Sequence, residues 1–368
     1  MPEIAEIFRR HGEEYLARFG DAMPAWHRRA IRAVSDCRTP AMGGHLLGCD
    51  DCGHREYVYH SCRSRACSSC HAEQSAAWVR ARAAELLPVR YFHLVFTVPA
   101  ALREPLRRSQ EALCGALVRA AAEAITVLAA DPRYLGGTPA ILAVLHTSGR
   151  TLTWHPHVHC LVPAGALDAD GVWHEAPNPA FLVPVHALAK LFRGRFAALA
   201  RTAAPAAELP ADVFDAAQRW VVYAKPCFAG PAHVLNYLGR YVHRLPLGNG
   251  SIVSHGPDQV TFRCRDATTG TARTIPLPPM EFLRRCLQHV PPPGFHRVRY
   301  YGLWAAPRRR DLHRVRLLLC SVHPAASAAV AEVTATPPPL HRPRVCTHCG
   351  STRLAVILFF RPGARAPP

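Results

Sequence analysis

Residues 153–163 read T-W-H-P-H-V-H-C-L-V-P and carry a histidine at every second position. Successive side chains of a β-strand point to opposite faces, so His155, His157 and His159 share one face. The apolar pair Leu161-Val162 continues the run toward a protein core. The stretch therefore predicts a strand of a central sheet that presents a row of three imidazoles.

This row predicts a metal site. Neutral imidazole is the commonest metal ligand, and two imidazoles on one strand face need only a third donor to hold a divalent ion. A buried histidine satisfied by a backbone group is the competing interpretation, since the chain holds 22 histidines. We predict that His157 and His159 bind the ion and that His155 is a neighbour able to assist. For the third ligand, His155, His146 and a Gln, Glu or Asp elsewhere remain candidates.

The composition favours a globular protein that binds nucleic acid. The chain has 368 residues, of which 49% are hydrophobic, enough for two or three domains. Its formal net charge is +18, and Lys190 and Lys225 are the only lysines. Because arginine forks onto phosphate and stacks on flat rings, this charge favours a nucleic-acid surface. A GC-rich coding sequence is the alternative explanation for the arginine excess.

No apolar run reaches the roughly 18 residues of a membrane span, and no secretory signal is recognised at the start of the chain. We therefore expect a cytoplasmic, nucleoid-associated protein with no membrane partner. In that compartment the 14 cysteines would be reduced thiols or metal ligands rather than disulfides.

A pair of Cys-x-x-Cys motifs predicts a structural zinc site near the N-terminus. Cys49, Cys52, Cys67 and Cys70 have the spacing of a four-thiolate Zn²⁺ site, and such a site leaves no open position for catalysis. Buried thiols without an ion are the alternative. Several nearby residues could replace a member of the quartet or hold a second ion: Cys37, His45, His60, Cys62 and His71. The C-terminal pair Cys346/Cys349 is either a zinc half-site that needs a distant partner or a decaying tail.

Strands and helices alternate irregularly along the chain, with short turns between them. This order predicts an α+β fold, with an antiparallel central sheet flanked by helices and an N-terminal zinc-binding module. We predict a helical segment and the zinc module over residues 1–88 and the main domain over 89–321. Residues 322–368, which are rich in proline and alanine, are predicted to be a linker and a short tail.

Tyr237 and Tyr241 are spaced i and i+4 in a segment that is predicted to be helical. On a helix both hydroxyls would project from one face, about 6 Å apart along the axis. Paired tyrosines more often pack in a core. Beside a metal site they acquire a second interpretation, because a cation that polarises a phosphate makes phenolic oxygen a usable nucleophile.

Three motifs in order resemble those of the rolling-circle HUH endonucleases, in which U is a hydrophobic residue. They are residues 96–99 (F-T-V-P), His157-Val158-His159, and the pair Tyr237 and Tyr241. Together with the N-terminal cysteine module and residues 295–303 (F-H-R-V-R-Y-Y-G-L), they make the chain similar to the insertion-sequence 91 family of transposases. The resemblance covers about residues 25 to 320.

The resemblance implies that the two histidines bind Mg²⁺ or Mn²⁺ and that the ion holds the scissile phosphate of single-stranded DNA. A tyrosine then attacks, which leaves a 5′-phosphotyrosine and a free 3′-OH. Two tyrosines suit one-ended rolling-circle transposition, because one can hold the first cleaved strand while the other cleaves the next.

Four arginines are candidate DNA contacts. Arg240 and Arg244 flank the second tyrosine, and Arg297 and Arg299 lie among ring-bearing residues in H-R-V-R-Y-Y. Single-strand grooves use such mixtures to neutralise phosphates and stack bases. A solvated basic face or a core strand is the alternative for each.

Two other functions fit parts of the sequence. A catalytically degenerate zinc-ribbon DNA-binding protein would keep the cysteine module but not the chemistry. An unrelated metal-dependent hydrolase would use the histidine row with an activated water, and its tyrosines would belong to the core.

Overall fold

The computed structural model describes residues 3–149, 151–227, 230–242, 245–265, 269–322 and 344–363, with only the backbone of residues 240–242. Its centre is a five-stranded sheet in the order β12-β4-β5-β3-β8, and every neighbouring pair is antiparallel. The strands are β3 (Tyr91–Thr97), β4 (Ala140–Ser148), β5 (Trp154–Pro163), β8 (Val222–Pro226) and β12 (Val298–Gly302). The histidine-bearing strand β5 therefore lies in the middle of the sheet.

One face of this sheet is apolar and packs on helices. Val158, Cys160 and Val162 of β5 point to this face and are fully buried. The helices on it are α4 (Arg103–Arg108), α5 (Gln110–Ala129) and α6 (Val185–Ala203). By length and composition α5 could span a membrane, but 61% of its most apolar window is buried against the rest of the protein. Its packing is that of a core helix.

The opposite face carries the histidines and is covered by three other helices. They are α3 (Ala72–Ala83), α7 (Pro231–Val242) and α9 (Arg309–Val322). Leu235 and Leu238 anchor α7 in this second core. A Cβ on Gly239 would lie 2.3 Å from a Val79 methyl group, so glycine is needed for α7 to approach α3 this closely. This contact fixes α7 above the sheet.

The N-terminal region and the C-terminal tail form one small sheet in the order β13-β1-β2. Its strands are β1 (Gly44–Cys49), β2 (Arg55–Tyr59) and β13 (Leu354–Phe360). The preceding helices, α1 (Ile4–Phe19) and α2 (Ala25–Asp36), pack in a core with α8 (Pro279–Leu287) and a three-stranded sheet. That sheet contains β9 (Ile252–His255), β10 (Val260–Arg265) and β11 (Ala272–Leu277). A further hairpin pairs β6 (Gly165–Leu167) with β7 (Trp173–Glu175).

The predicted α+β class, with antiparallel sheets flanked by helices and an N-terminal cysteine module, is confirmed. The domain boundaries at residues 88 and 321 stay a prediction. Residues on either side of each boundary pack against one another. Helices α1 and α2 share a core with α8, and the tail supplies a strand to the N-terminal sheet.

Candidate active site and metal centres

Three histidines from two adjacent strands meet on the face of the sheet under α7. The antiparallel register of β4 and β5 places His146 opposite His157, and His159 follows on the same face. One ring nitrogen from each of His146, His157 and His159 lies within 4.8 Å of the others. We call these residues the histidine triad. The structure thus brings the two predicted ligands together with His146.

His155 is not part of the triad. It lies two residues from His157 toward the start of β5, where the pairing with β4 shifts between His146 and Ser148, and it has no partner in that register. Its backbone carbonyl instead accepts a hydrogen bond from Nδ1 of His157 at 2.7 Å. His155 therefore orients a triad residue through its backbone.

Hydrogen bonds on the outer nitrogens orient the triad. Because Nδ1 of His157 donates to the His155 carbonyl, its Nε2 carries the lone pair. Nδ1 of His159 lies 2.8 Å from Nε2 of His93 on β3. Nε2 of His159 is buried and has no hydrogen-bond partner among the described residues. Such outer partners fix ring orientation and tautomer at metal sites, and these residues fit a divalent ion.

Burial keeps the triad neutral. Desolvation lowers the pKa of His157 to about 4, and desolvation together with neighbouring imidazoles holds the pKa values of His146 and His159 well below 6.5. A metal ligand must offer a lone pair rather than a proton, so the triad is in its binding form at neutral pH. Three protein ligands also leave other coordination positions for water or a substrate oxygen.

His93 could not be singled out in the sequence, because its contact with His159 depends on β3 lying beside β5. Replacing His93 with alanine removes the hydrogen bond to His159, so we expect metal affinity to fall by about 10- to 100-fold. Titration with Mn²⁺, followed by calorimetry or electron paramagnetic resonance, measures this change. His233→Ala, at an exposed position of α7, is the matched control. Equal affinities in the two variants would show that His93 does not position His159.

Tyr237 is the tyrosine that the structure places at the triad. Its ring centroid lies 5.7 Å from those of both His146 and His159, and the residue is 36% exposed. Tyr241 falls in the last turn of α7, but its side chain and that of Arg240 lie outside the described residues, as does the whole of Arg244. An accessible phenol thus lies over a row of neutral imidazoles.

A basic cavity adjoins the triad. It has a volume of about 380 Å³ and is lined by His146, His157 and Tyr237 together with Arg263 and Arg265 of β10 and with Arg297. No aspartate or glutamate occurs among the described residues that line it. Arg263 and Arg265 could not be singled out in the sequence, because their strand is distant from both motifs. A cavity lined by three arginines, with no carboxylate among its described lining residues, is suited to phosphate.

The two predicted arginines near β12 have different positions. Arg297 lines the cavity, and its guanidinium donates a hydrogen bond to the His289 carbonyl. Arg299 faces α5, where it donates to the Gly115 carbonyl at 3.4 Å and lies 5.9 Å from the Phe295 ring. Arg299 faces α5 because side chains alternate along β12 and the next residue, Tyr300, occupies the face that carries the triad, whereas Arg297 precedes the strand. The structure therefore does not bring Arg299 to the candidate site.

His289 supports a prediction on the pH dependence of stability. Burial lowers its pKa to about 3, although its ring also bonds to the Leu152 carbonyl and Thr147 hydroxyl. Between pH 6.5 and 3 the unfolded chain takes up a proton that the folded chain does not. Stability is therefore lost as pH falls, by about 2 kcal/mol for this group between pH 7.5 and 5.

Urea denaturation of the wild type and of His289→Gln at several pH values measures this contribution. The expected result is a shallower loss of unfolding free energy in the variant as pH falls. Equal slopes in the two proteins would show that His289 is not the group responsible. Comparing slopes removes the contribution of all other titrating groups, which the two proteins share.

The structure corrects the predicted zinc quartet. The two predicted Cys-x-x-Cys motifs do not meet, because each belongs to a different cluster of four cysteines. The first cluster is Cys37, Cys62, Cys67 and Cys70, and the second is Cys49, Cys52, Cys346 and Cys349. The β1–β2 hairpin is the reason. Cys49 lies at its turn, whereas the chain enters and leaves the hairpin at the other end, about 15 Å away, where the first cluster lies.

The first cluster has the dimensions of a zinc site. The sulfur of Cys37 lies 3.6 Å from that of Cys70 and 3.7 Å from that of Cys67, and Cys62 lies 3.7 Å from Cys70. A tetrahedral Zn²⁺ with bonds of about 2.3 Å requires sulfur separations of about 3.8 Å. Cys37 and Cys62, which were alternatives in the sequence, are thus the partners of Cys67 and Cys70.

Comparisons with known families define the class of this protein as a transposase. Residues 140–311, which contain the triad and Tyr237, match a family described as "Putative transposase". Residues 7–98 match a family described as "Transposase zinc-binding domain", and the first cysteine cluster lies wholly within them. The sulfur separations and the family match both indicate that the ion of this cluster is zinc.

Two relatives extend over most of the chain. It is 41% identical over 348 residues to "Putative transposase y4qJ" of Sinorhizobium fredii (strain NBRC 101917 / NGR234), covering 90% of this chain and 87% of that protein. It is 31% identical over 286 residues to "Transposase for insertion sequence element IS801" of Pseudomonas savastanoi pv. phaseolicola, covering 73% and 68%. The chain belongs to the insertion-sequence 91 family of transposases. No solved structure matches it.

Proposed function

We propose that this transposase cleaves and rejoins single-stranded DNA through 5′-phosphotyrosine intermediates in rolling-circle transposition. One observation carries the proposal. On α7 the phenol ring of Tyr237 lies 5.7 Å from two imidazoles of a buried triad whose nitrogens fit a divalent ion. A nucleophile beside a cation-binding site is the arrangement that phosphoryl transfer to a protein side chain requires.

The triad would hold Mg²⁺ or Mn²⁺ through His146, His157 and His159. When bound, the ion would supply a positive charge that polarises the scissile phosphate. The ring nitrogens offer lone pairs without first releasing protons, because burial keeps all three imidazoles neutral. The hydrogen bonds that His157 donates to the His155 carbonyl and that His159 forms with His93 hold two of the rings in place, so little reorganisation is needed on binding.

The reaction of the tyrosine with DNA is a transesterification at phosphorus. The Tyr237 oxygen attacks phosphorus and loses its proton, while the bond between phosphorus and the 3′-oxygen breaks. The 3′-oxygen takes up a proton and leaves as a 3′-OH. One phosphodiester is thus exchanged for a phosphotyrosine ester, and the reverse reaction with another 3′-OH rejoins DNA. A second nucleophile, which we assign to Tyr241, would let one tyrosine hold a strand while the other cleaves the next.

The arginine-lined cavity would hold the DNA backbone. Arg263, Arg265 and Arg297 surround the same space as His157 and Tyr237, so a phosphate near the triad lies within their positive field. Tyr300 packs against α3, where its hydroxyl accepts hydrogen bonds from Trp78 and Arg82, so the preference for single strands rests on the resemblance to the HUH motifs. A DNA-acting enzyme of this kind would work at the nucleoid.

A strand-selectivity assay tests this function. Purified protein is incubated with end-labelled DNA of the element's terminal sequences, as single strands and as duplex, with Mg²⁺, with Mn²⁺ and with EDTA. We expect cleavage of the single strand only, and only with a divalent ion. Cleavage of the duplex alone would contradict the proposal. Binding without cleavage in either metal would favour a degenerate DNA-binding protein.

A further inference from the structure

The C-terminal tail lies against the N-terminal module. Strand β13 pairs antiparallel with β1, in a register that places Cys49 beside Leu354 and Gly44 beside Phe360. The tail's Cys346 and Cys349 thereby meet Cys49 and Cys52, about 300 residues earlier in the chain. These four residues are the second cluster. The family match to a zinc-binding domain ends at residue 98 and does not include the tail pair.

The two halves of the second cluster have the same backbone structure. In each Cys-x-x-Cys-Gly turn the glycine N–H donates to the carbonyl of the first cysteine at 2.9 Å, from Gly53 to Cys49 and from Gly350 to Cys346. Both glycines have positive φ, +71° and +77°, which favours glycine over other residues. Two matched tight turns therefore face each other, and each directs two sulfurs toward the other.

The sulfur geometry fits an ion rather than disulfides. The sulfur of Cys49 lies 3.6 Å from that of Cys349, and the sulfur of Cys52 lies 3.6 Å from that of Cys346. A disulfide requires about 2.05 Å, and all four thiols are free. A tetrahedral Zn²⁺ with bonds of about 2.3 Å places its sulfurs about 3.8 Å apart. The separations in the cluster are close to this value.

Further contacts between tail and module concentrate around the cluster. Arg353 forms an ion pair with Asp51 at 3.0 Å, and the backbone N–H of Asp50 donates to the Arg353 carbonyl at 3.1 Å. The ring of His348 stacks on that of His54 with centroids 5.6 Å apart. Polar surface contacts of this kind contribute little individually. An ion that closes a loop of about 300 residues would contribute far more.

We propose that Cys49, Cys52, Cys346 and Cys349 bind a second structural Zn²⁺, which fastens the C-terminal tail to the N-terminal module. Each chain then holds two zinc ions in tetrathiolate sites. The second ion makes β13 a permanent third strand of the β1–β2 sheet. The tail is therefore part of the folded zinc module, although it is separated from the module by the whole transposase domain.

The zinc content of the full-length protein tests this proposal. After removal of free metal, inductively coupled plasma mass spectrometry should find two zinc ions per chain. The double variant Cys346→Ser/Cys349→Ser should retain one, as should Cys37→Ser/Cys62→Ser. The matched control Cys264→Ser/Cys320→Ser, outside both clusters, should retain two. One zinc in the wild type, or two in the tail variant, would overturn the proposal.

A second measurement remains decisive if the tail variant loses both ions through misfolding. A protease site inserted between residues 323 and 343 allows the tail to be cut from the folded, zinc-loaded wild type. We expect the cut tail to co-elute with the remainder of the chain on size exclusion. It should be released on treatment with a thiol-reactive zinc-displacing reagent. A cut tail that separates while zinc is still bound would overturn the proposal.

Discussion

Replacing His157 with alanine is expected to lower metal-dependent DNA cleavage by about 10³-fold or more while the protein stays folded. His157 offers one of three nitrogens that lie within 4.8 Å of one another, and the other two residues cannot supply its position. The rate of cleavage of end-labelled single-stranded DNA at saturating Mn²⁺ measures the effect. The melting curve of the variant checks that the fold is retained.

His155→Ala is the matched control for this change. The two residues lie on the same strand face with rings 5.1 Å apart, but only His157 belongs to the triad. The contact of His155 with its neighbour is made by a backbone carbonyl, which alanine keeps. We therefore expect less than a tenfold change. An equal loss in both variants would mean that the ion is held by the histidine row of β5 rather than by the triad.

Replacing both Tyr237 and Tyr241 with phenylalanine is expected to abolish the covalent protein–DNA product, a loss of about 10³-fold or more. At position 237, phenylalanine keeps the ring that packs beside His146 and His159 and removes only the nucleophilic oxygen. Each single variant should retain some covalent product and lose the second strand-transfer step. Denaturing gels of labelled DNA separate these outcomes.

Tyr223→Phe, on β8 with 56% exposure, controls for the loss of a surface hydroxyl and should behave as the wild type. A double variant that still cleaves without forming any covalent product would favour a metal-dependent hydrolase that uses water. A degenerate DNA-binding protein would be favoured by a different result. In that case the wild type neither cleaves DNA nor forms a covalent product, and the double variant binds DNA as well as the wild type does.

The alternation of histidines made two of the three triad residues predictable. A period of two is a local property of a strand, so His157 and His159 could be placed on one face from their spacing alone. His146 could be no more than a candidate, because its position depends on the register between β4 and β5. His93 could not be found, since its contact with His159 depends on β3 lying next to β5 in the sheet order.

The cysteines also show that contacts between distant parts of the chain could not be predicted from spacing. Proximity in sequence favoured a quartet of Cys49, Cys52, Cys67 and Cys70, but a hairpin separates the two pairs. Spacing identifies a tight turn that can offer two sulfurs, because that turn is local. It cannot identify the partner turn, which for Cys49 and Cys52 lies about 300 residues further along the chain.

The most direct test of the proposed chemistry is to identify the residue that becomes linked to DNA. Wild-type protein is incubated with Mn²⁺ and single-stranded DNA of the element's ends, labelled at either the 5′ or the 3′ terminus, then digested and analysed by mass spectrometry. We expect the segment with the 3′ label to be joined through its 5′-phosphate to Tyr237 or Tyr241. Linkage to any other residue, linkage of the segment with the 5′ label, or cleavage with both segments free would contradict the proposal.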